Sequence, residues 1–268
     1  MTFAPLKDLK LHYQQHGRGE PLVLLHGLGS SSYDWEFQVP AFSKYYRVIA
    51  PCLRGFGDSD KPPGPYSISQ YAHDVIDLLD HLGIARCHVL GFSMGGAIAF
   101  QMAVDQPERL HSLIVVNSQP SFELDHWRKH LMVITRIGMA SVLGMERMTR
   151  YVAKRLFPLP EQQHLRDRMM ERQAKNNKSS YLAALQALAG WSVKDRIKDL
   201  YLPTLVIAGE HDYSPLQEKE GYVRLIQNAR LAVIRGTRHG TLFEKPDEVN
   251  RVVLDFLSAP SGELRKQA

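Results

Sequence analysis

The chain has 268 residues, of which 44% are hydrophobic and 23% are charged, as in an ordinary globular protein. Its 19 glycines and 15 prolines exclude the collagen-like and low-complexity classes, and its 2 cysteines are too few for a disulfide framework. Lysine and arginine (33) outnumber aspartate and glutamate (28), which gives a net charge of +5. That charge alone is compatible with nucleic acid, a membrane surface or an acidic partner.

The N-terminal residues show no targeting pattern. Lys7, Asp8 and Lys10 interrupt the first ten residues, which lack the apolar run of a signal peptide. No window approaches the roughly 18 apolar residues of a membrane-spanning helix. We therefore expect a cytoplasmic protein without a membrane span.

Short β-branched runs bounded by glycine or proline predict strands of a buried parallel sheet. In chain order they are Leu22–Leu25, Arg47–Ala50, His88–Gly91, Ser112–Val116, Thr204–Ala208 and Leu231–Ile234. The alternating run Leu11–Gln15 predicts an edge strand that forms a hairpin with the first of them. Segments of helical period lie between the strands: Ile68–Leu82, Ala97–Val104, Pro215–Gln227 and Pro246–Leu257. This alternation predicts an α/β fold with a mostly parallel central sheet flanked by helices.

The alternation stops in one long stretch, where only helical segments are predicted. We interpret residues 121–200 as an inserted helical cap, and residues 1–120 and 201–268 as the core domain. The predicted cap contains 15 basic and 8 acidic residues, a net charge of +7, whereas the rest of the chain has a net charge of −2. Because the positive charge lies in the cap, it is expected to affect which molecules bind near the cap rather than the surface of the whole protein.

The composition of the predicted cap permits two interpretations. Six of the nine methionines lie in it: Met132, Met139, Met145, Met148, Met169 and Met170. Methionine adapts to irregular apolar spaces, so the cap is either a flexible lid over an acyl pocket or an ordinary amphipathic layer with solvated charges. Its densest basic cluster, which would favour docking of an acidic carrier protein, is Arg147, Arg150, Lys154 and Arg155.

The strongest chemical signal is Gly91-Phe92-Ser93-Met94-Gly95, which follows a predicted strand and precedes a predicted helix. This context is typical of the G-x-S-x-G nucleophile elbow. Gly91 and Gly95 leave room for a tight turn, and the helix N-terminus favours negative charge beside the serine. The pattern predicts Ser93 as a nucleophile.

A serine hydroxyl needs a base to remove its proton. Asp212 and His239 each follow one of the last two predicted strands, at the edge where ligand sites form in open α/β sheets. We therefore predict a catalytic Ser93-His239-Asp212 triad. Glu210, at the same strand end as Asp212, remains the alternative acid, and His26 is interpreted as a residue that holds its loop.

Acyl transfer also needs fixed N–H donors for the oxyanion. Met94 follows the nucleophile and is predicted to supply one backbone N–H. The glycine-rich loop His26-Gly27-Leu28-Gly29-Ser30 is predicted to supply the second through Leu28. Gly27, Leu28 and Met94 are accordingly the predicted substrate-binding residues.

With these motifs in this order, the chain resembles the α/β-hydrolase superfamily, and within it the serine esterases, enol-lactonases and cofactor-free haloperoxidases that have a helical cap. Serine at the elbow disfavours haloalkane dehalogenases and epoxide hydrolases, which use aspartate there. Cys52 stands where the family usually has a structural aspartate. The other motifs that carry the resemblance are Arg54-Gly55-Phe56-Gly57-Asp58-Ser59, Glu244 with Pro246 and Asp247, and the enol-lactonase-like segments 62–68 and 80–84.

The motifs and the resemblance together imply a serine hydrolase that cleaves small carboxylic esters through an acyl-enzyme, with no metal and no cofactor. The alternatives within hydrolysis are a lactonase, similar to 3-oxoadipate enol-lactonases, and a carbon–carbon bond hydrolase. A perhydrolase with haloperoxidase activity, an esterase for esters on an acyl carrier protein, and a non-catalytic ligand receptor remain open as well. Nucleic acid is not expected as a partner, because no recognition motif accompanies the charge.

Overall fold

The computed structural model describes residues 2–259. Its centre is an eight-stranded sheet with the strand order β1-β2-β4-β3-β5-β6-β7-β8. The strands are β1 (Thr2–Leu6), β2 (Leu9–His16), β3 (Pro21–Leu25), β4 (Arg47–Pro51), β5 (Cys87–Phe92), β6 (Leu110–Val116), β7 (Thr204–Gly209) and β8 (Ala229–Ile234). Strand β2 is antiparallel to β1 and β4, and the remaining pairs are parallel.

The six predicted parallel strands are all present, so the predicted fold class is confirmed. The predicted hairpin of Leu11–Gln15 with the next strand is wrong, because β2 pairs with β1 and β4 while β3 lies beyond β4. Strand β1 was not predicted from the sequence. Only one of its residues, Ala4, is fully buried, so the strand has no apolar pattern. Residue 1 and residues 260–268, which the predicted core includes, lie outside the described residues.

Helices cover both faces of the sheet, which explains why its strands are apolar without alternation. On one face Val23, Leu25 and Val89 belong to a core that includes α2 and α3, and on the other face Leu22 and Leu24 belong to a second core with α1 and α10. The α-helices described are α1 (Val39–Phe42), α2 (Ile68–His81), α3 (Met94–Asp105), α4 (Trp127–Gly138), α5 (Gly144–Leu156), α6 (Gln163–Gln173), α7 (Lys178–Leu188), α8 (Leu216–Val223), α9 (Thr241–Glu244) and α10 (Pro246–Ser258).

Helices α4 to α7 lie between β6 and β7, and we call residues 121–200 the inserted segment. Its two ends lie side by side, because Ser121 and Ser192 form a β-bridge and the Phe122 N–H donates to the Trp191 carbonyl. The chain thus leaves the sheet edge and returns to it at one place. Whether the segment is a separate domain stays a prediction. None of the helices described in residues 2–259 is long and apolar enough to cross a membrane.

Candidate active site

The turn between β5 and α3 places Ser93 at the carboxyl edge of the sheet. Ser93 has φ 53° and ψ −116°, a conformation that costs a non-glycine residue about 1–3 kcal/mol. Its N–H donates to the carbonyl of Val116 (3.0 Å), and its carbonyl accepts from the Ser118 hydroxyl (2.7 Å). Two hydrogen bonds to the end of β6 and the residues after it therefore stabilise the strained backbone of Ser93.

The glycines of the elbow are required by space. A Cβ atom on Gly95 would lie 2.0 Å from the carbonyl oxygen of Leu25, and one on Gly91 would lie 2.2 Å from the carbonyl oxygen of Gly95. Both contacts are with backbone atoms that cannot turn aside, so a side chain at either position would displace the turn. This agrees with the sequence argument for a tight turn at Ser93.

The structure brings the three predicted catalytic side chains into one hydrogen-bonded chain. His239 Nε2 lies 2.9 Å from Ser93 Oγ, and His239 Nδ1 lies 2.5 Å from Asp212 Oδ1. A carboxylate only accepts hydrogen bonds, so we assign the proton to Nδ1, which leaves Nε2 free to accept from the serine. The arrangement allows proton abstraction from Ser93.

Asp212 is almost completely enclosed, with 1% of its side chain exposed. Its Oδ1 accepts a second hydrogen bond from the Tyr213 N–H (2.7 Å), and its Oδ2 accepts one from Lys219 Nζ (2.7 Å). Burial alone raises the pKa of the carboxyl, but the charges and hydrogen bonds of His239 and Lys219 outweigh it and hold the pKa of Asp212 well below its usual range. Asp212 is therefore ionised.

Glu210, the alternative acid, is not brought to the imidazole. Its Oε2 accepts from the Gly236 N–H (2.8 Å), and 40% of its side chain is exposed. It ties the loop after β8 to the loop after β7. The geometry thus separates two carboxylates that the sequence places at the same strand end.

Two aromatic rings lie against the imidazole of His239. Tyr213 stacks on it with 4.4 Å between ring centroids, and Phe92 approaches with a centroid distance of 5.3 Å. The imidazole is only 13% exposed. Contact with these two rings restricts its rotation, which keeps Nε2 directed at the serine.

Asn117 fixes the backbone of the histidine loop, a role that the sequence patterns did not reveal. Its Nδ2 donates to the carbonyls of Arg238 (3.1 Å) and His239 (2.9 Å), and its Oδ1 accepts from the Gly209 N–H (2.7 Å). One buried amide therefore joins β6, the end of β7 and the histidine loop. An asparagine directly after a buried strand was the available signal.

The residues predicted to bind the oxyanion lie next to Ser93, but they differ in which of their atoms can reach the cavity. Gly27 and Leu28 line the cavity that contains Ser93. Met94 is the first residue of α3, so its N–H has no acceptor within the helix, while its side chain is fully buried in the core. Contact between Met94 and a substrate is therefore restricted to the backbone N–H.

His26 is occupied on both ring nitrogens. Its Nδ1 donates to the Gly27 carbonyl (2.8 Å), and its Nε2 accepts from the Leu53 N–H (2.9 Å). Burial lowers the pKa of His26 to about 4, so the ring is neutral at physiological pH. These contacts hold the loop and leave no nitrogen for a catalytic base.

Two cavities meet at Ser93, Leu28 and His239. The first is closed by apolar side chains of α5 and α6, and the second by side chains of α4 and α7. The inserted segment therefore supplies half of the residues that line each cavity. The apolar residues from that segment are Val152, Leu156, Phe157, Leu165 and Met169 in the first cavity, and Phe122, Leu124, Met132, Val133, Leu185 and Leu188 in the second.

Three arginines line the first cavity, and two of them are neutralised. Arg172 contacts Asp34 (2.9 Å) and Arg168 contacts Glu36 (2.8 Å). Arg136 lines both cavities, and among residues 2–259 no carboxylate lies within 4.0 Å of it. The cavity therefore contains one cation without an anionic partner.

The predicted basic cluster lies on α5, where its four side chains are exposed: Arg147, Arg150, Lys154 and Arg155. Arg150 pairs with Glu146 (2.8 Å), and Arg155 lies over the ring of Tyr151. Docking of an acidic carrier protein stays a prediction.

Cys52 is buried beside His12 Nδ1 (3.3 Å) and Ser32 Oγ (3.2 Å). Burial raises the pKa of its thiol, which does not favour a reactive thiolate. Within residues 2–259, no group of three or more His, Cys, Asp or Glu side chains is arranged to hold a metal ion.

Comparison with known families matches residues 20–246 to the α/β-hydrolase fold family. The 2-hydroxy-6-oxo-6-phenylhexa-2,4-dienoate hydrolase of Comamonas testosteroni is 30% identical over 273 residues, covering 94% of this chain and 92% of that protein. A protein of Stutzerimonas stutzeri, provisionally named a carbamate hydrolase, is 29% identical over 263 residues, covering 95% of this chain and 99% of that protein.

Solved structures agree with these relatives. The enol-lactonase from Burkholderia xenovorans superposes with a TM-score of 0.89 at 26% sequence identity, covering 96% of this chain and 100% of that chain. The match therefore extends through the inserted segment as well as the sheet. This chain belongs to the α/β-hydrolase fold family, and it is a hydrolase of that fold.

Proposed function

We propose that the protein is a serine hydrolase that cleaves carboxylic esters through an acyl-enzyme intermediate. The observation that carries this proposal is the chain of contacts from Ser93 Oγ through His239 to Asp212, with distances of 2.9 and 2.5 Å. It lies where two mainly apolar cavities meet, so one can receive the acyl group and the other the leaving group.

In the first half-reaction, Ser93 Oγ attacks the ester carbonyl while His239 Nε2 takes the hydroxyl proton. Asp212 stabilises the imidazolium that forms. The imidazolium then gives its proton to the departing alcohol as the carbon–oxygen bond breaks. In the second half-reaction, His239 takes a proton from the water that attacks the acyl-enzyme. It returns this proton to Ser93 Oγ as the bond between Oγ and the acyl carbon breaks and the acid is released.

The developing oxyanion would accept hydrogen bonds from the backbone N–H groups of Leu28 and Met94. Removal of one such donor typically reduces kcat about 10²–10³-fold. Because both donors belong to the backbone, side-chain substitution does not remove them. The loop geometry that His26 and Gly27 maintain is what keeps the Leu28 donor in place.

The test measures hydrolysis of p-nitrophenyl acyl esters of increasing chain length by wild type and Ser93→Ala. We expect the variant to lose activity by about 10⁴-fold or more, because the nucleophile is absent. Ser69→Ala, on α2, is the matched control and should retain wild-type rates. Equal rates for wild type and Ser93→Ala would refute the proposal. Trapping of the acyl group on Ser93, detected as a mass increase of the intact protein, supplies a second readout.

A second candidate is hydrolysis of a lactone or a carbon–carbon bond in a substrate that carries a carboxylate. It is favoured by Arg136, which lines both cavities and has no carboxylate within 4.0 Å among residues 2–259. The names of two relatives point the same way, since one is an enol-lactonase and the other hydrolyses a dienoate.

This candidate is tested with matched pairs of substrates that differ in one terminal carboxylate, supplied as esters and as lactones. We expect Arg136→Gln to lower kcat/KM for the carboxylate-bearing member roughly tenfold or more, since a charge-assisted hydrogen bond is lost. The neutral member should change little. Equal effects on both members would remove the argument for an anionic substrate.

A further inference from the structure

Lys219 is a buried lysine that the proposed mechanism does not use. It lies on α8, its side chain is 0% exposed, and lysine is almost never fully buried unless it is paired. Its Nζ lies 2.7 Å from Asp212 Oδ2, 2.5 Å from Ser214 Oγ and 3.1 Å from the Ser214 carbonyl. An ammonium has three protons, and these three oxygens accept them.

The two oxygens of Asp212 therefore serve two different cations. Oδ1 receives the proton of His239 Nδ1, and Oδ2 receives a proton of Lys219. With Lys219 present, the group of lysine, aspartate and neutral histidine has no net charge. Without it, the same group would have a charge of −1 in a buried place. A buried charge acts strongly because little water screens it.

We propose that Lys219 is a positioning residue that sets the proton affinity of His239 through their shared carboxylate. This proposal rests on the function proposed above. Transfer of the Ser93 proton creates an imidazolium on one side of Asp212 while the Lys219 ammonium occupies the other side. Lys219 thus opposes protonation of the imidazole in the free enzyme and keeps it available as a base at lower pH.

Other titratable or charged groups also face this cluster, and each remains in place when Lys219 is changed. They are Tyr213 stacked on His239, Tyr222 with its hydroxyl on the Ser118 carbonyl, and Arg136, Arg155 and Glu218 around the adjoining cavity. None of them contacts Asp212 Oδ2, whose hydrogen bonds come from Lys219 (2.7 Å) and, at 3.4 Å, Ser214. Lys219 is therefore the group whose removal changes the charge on that oxygen.

The kinetic test compares the pH dependence of kcat/KM for wild type, Lys219→Gln, Lys219→Met and Lys219→Arg. Glutamine keeps a donor and removes the charge, methionine removes both, and arginine keeps the charge. We expect the midpoint of the acidic limb to rise by about one pH unit in the glutamine and methionine variants. We expect it to stay near the wild-type value in the arginine variant.

Arg224→Gln is the matched control, because it removes a positive charge next to the same helix from a side chain that is 79% exposed. Its acidic limb should coincide with that of wild type. Equal midpoints for wild type and both neutral Lys219 variants, with rates lowered at every pH, would overturn the proposal and leave Lys219 a purely structural residue.

An NMR titration of the wild-type protein tests the same coupling. It requires no substrate, and it does not depend on whether the variants fold. The Nζ resonance of Lys219 and the ring resonances of His239 are followed by NMR as pH is varied. Coupling between two sites is reciprocal, so the ammonium signal should change with the midpoint of the imidazole. An ammonium signal that stays constant through that midpoint would overturn the proposal. If no ester is hydrolysed but the two titrations coincide, the proposed function fails while the coupling stands.

Discussion

The edge of the sheet and the inserted segment differ in how firmly their residues are held. At the sheet edge, Ser93 and the His239 loop are fixed by hydrogen bonds from the residues that follow β6. In the inserted segment, α4 has no fully buried residue, and the exposed fractions of Ile134 and Val142 are 63% and 80%. The candidate site therefore lies on residues that are fixed by hydrogen bonds, whereas α4, which lines the second cavity, packs with partly exposed side chains.

Several groups of contacts join the two regions, and one of them involves the loop that follows β3. Arg172 on α6 pairs with Asp34 (2.9 Å), and Asn176 donates to the carbonyl of Gly29 (2.5 Å). Both acceptors lie on or near the loop that contains Leu28, so the inserted segment is tied to the loop that would supply an oxyanion donor. The ion pair and the hydrogen bond thus couple the end of α6 to that loop.

The largest expected effect comes from the sheet edge. Asp212→Asn should lower kcat about 10³–10⁴-fold at neutral pH, because the amide no longer stabilises the imidazolium or selects the required tautomer. Ester hydrolysis under saturating substrate checks this, with unfolding curves to confirm the fold. Glu210→Gln is the matched control and should stay within about twofold of wild type. The opposite pattern would transfer the catalytic role to Glu210.

The next effect concerns the loop beneath the site. Burial lowers the pKa of His26 to about 4 in the folded protein, from about 6.5 for an imidazole in the unfolded chain. Between these values the unfolded chain binds a proton that the folded protein does not. The free energy of unfolding should therefore fall by about 3 kcal/mol as pH drops from about 7 to below 4.

Urea unfolding at several pH values measures this loss for wild type, His26→Gln and the exposed control His164→Gln. His26→Gln should show a smaller dependence on pH, since glutamine does not titrate, whereas His164→Gln should follow wild type. Identical pH dependence in all three proteins would show that His26 does not account for the loss.

A smaller effect is expected where the two regions meet. Arg172→Met removes the partner of the buried Asp34, and it should raise KM roughly tenfold with a modest change in kcat. The control is Arg147→Met on the exposed side of α5, which should leave both constants unchanged. If Arg172→Met left KM unaltered as well, the inserted segment would not communicate with the site through this ion pair.

The smallest effect is expected on the exposed side of the inserted segment. Ile134→Gln should change the free energy of unfolding by no more than about 0.5 kcal/mol, because the side chain is 63% exposed. Val253→Ala, at a buried position of α10, should cost about 2 kcal/mol and serves as the buried comparison. A loss above about 1.5 kcal/mol at Ile134 would show that this surface is covered in solution.

Much of the fold followed from local patterns. Six runs of buried β-branched residues predicted six strands, because a strand covered on both faces has no polar side. The pairing of β2 with β4 could not be predicted from these patterns, because strands that are consecutive in the chain need not be neighbours in the sheet. Strand β1 did not follow either, since its exposed side chains leave almost no apolar signal.

For the site, the sequence by itself determined the residue types and their order along the chain. The elbow motif selects Ser93 because its glycines are required locally, and strand ends select the neighbourhood of Asp212 and His239. Only the three-dimensional arrangement shows that Asp212 contacts the imidazole of His239 and that Glu210, on the adjoining turn, does not. It also decided that Lys219 and Asn117 contact the site, since such contacts depend on distances through space that no spacing along the chain encodes.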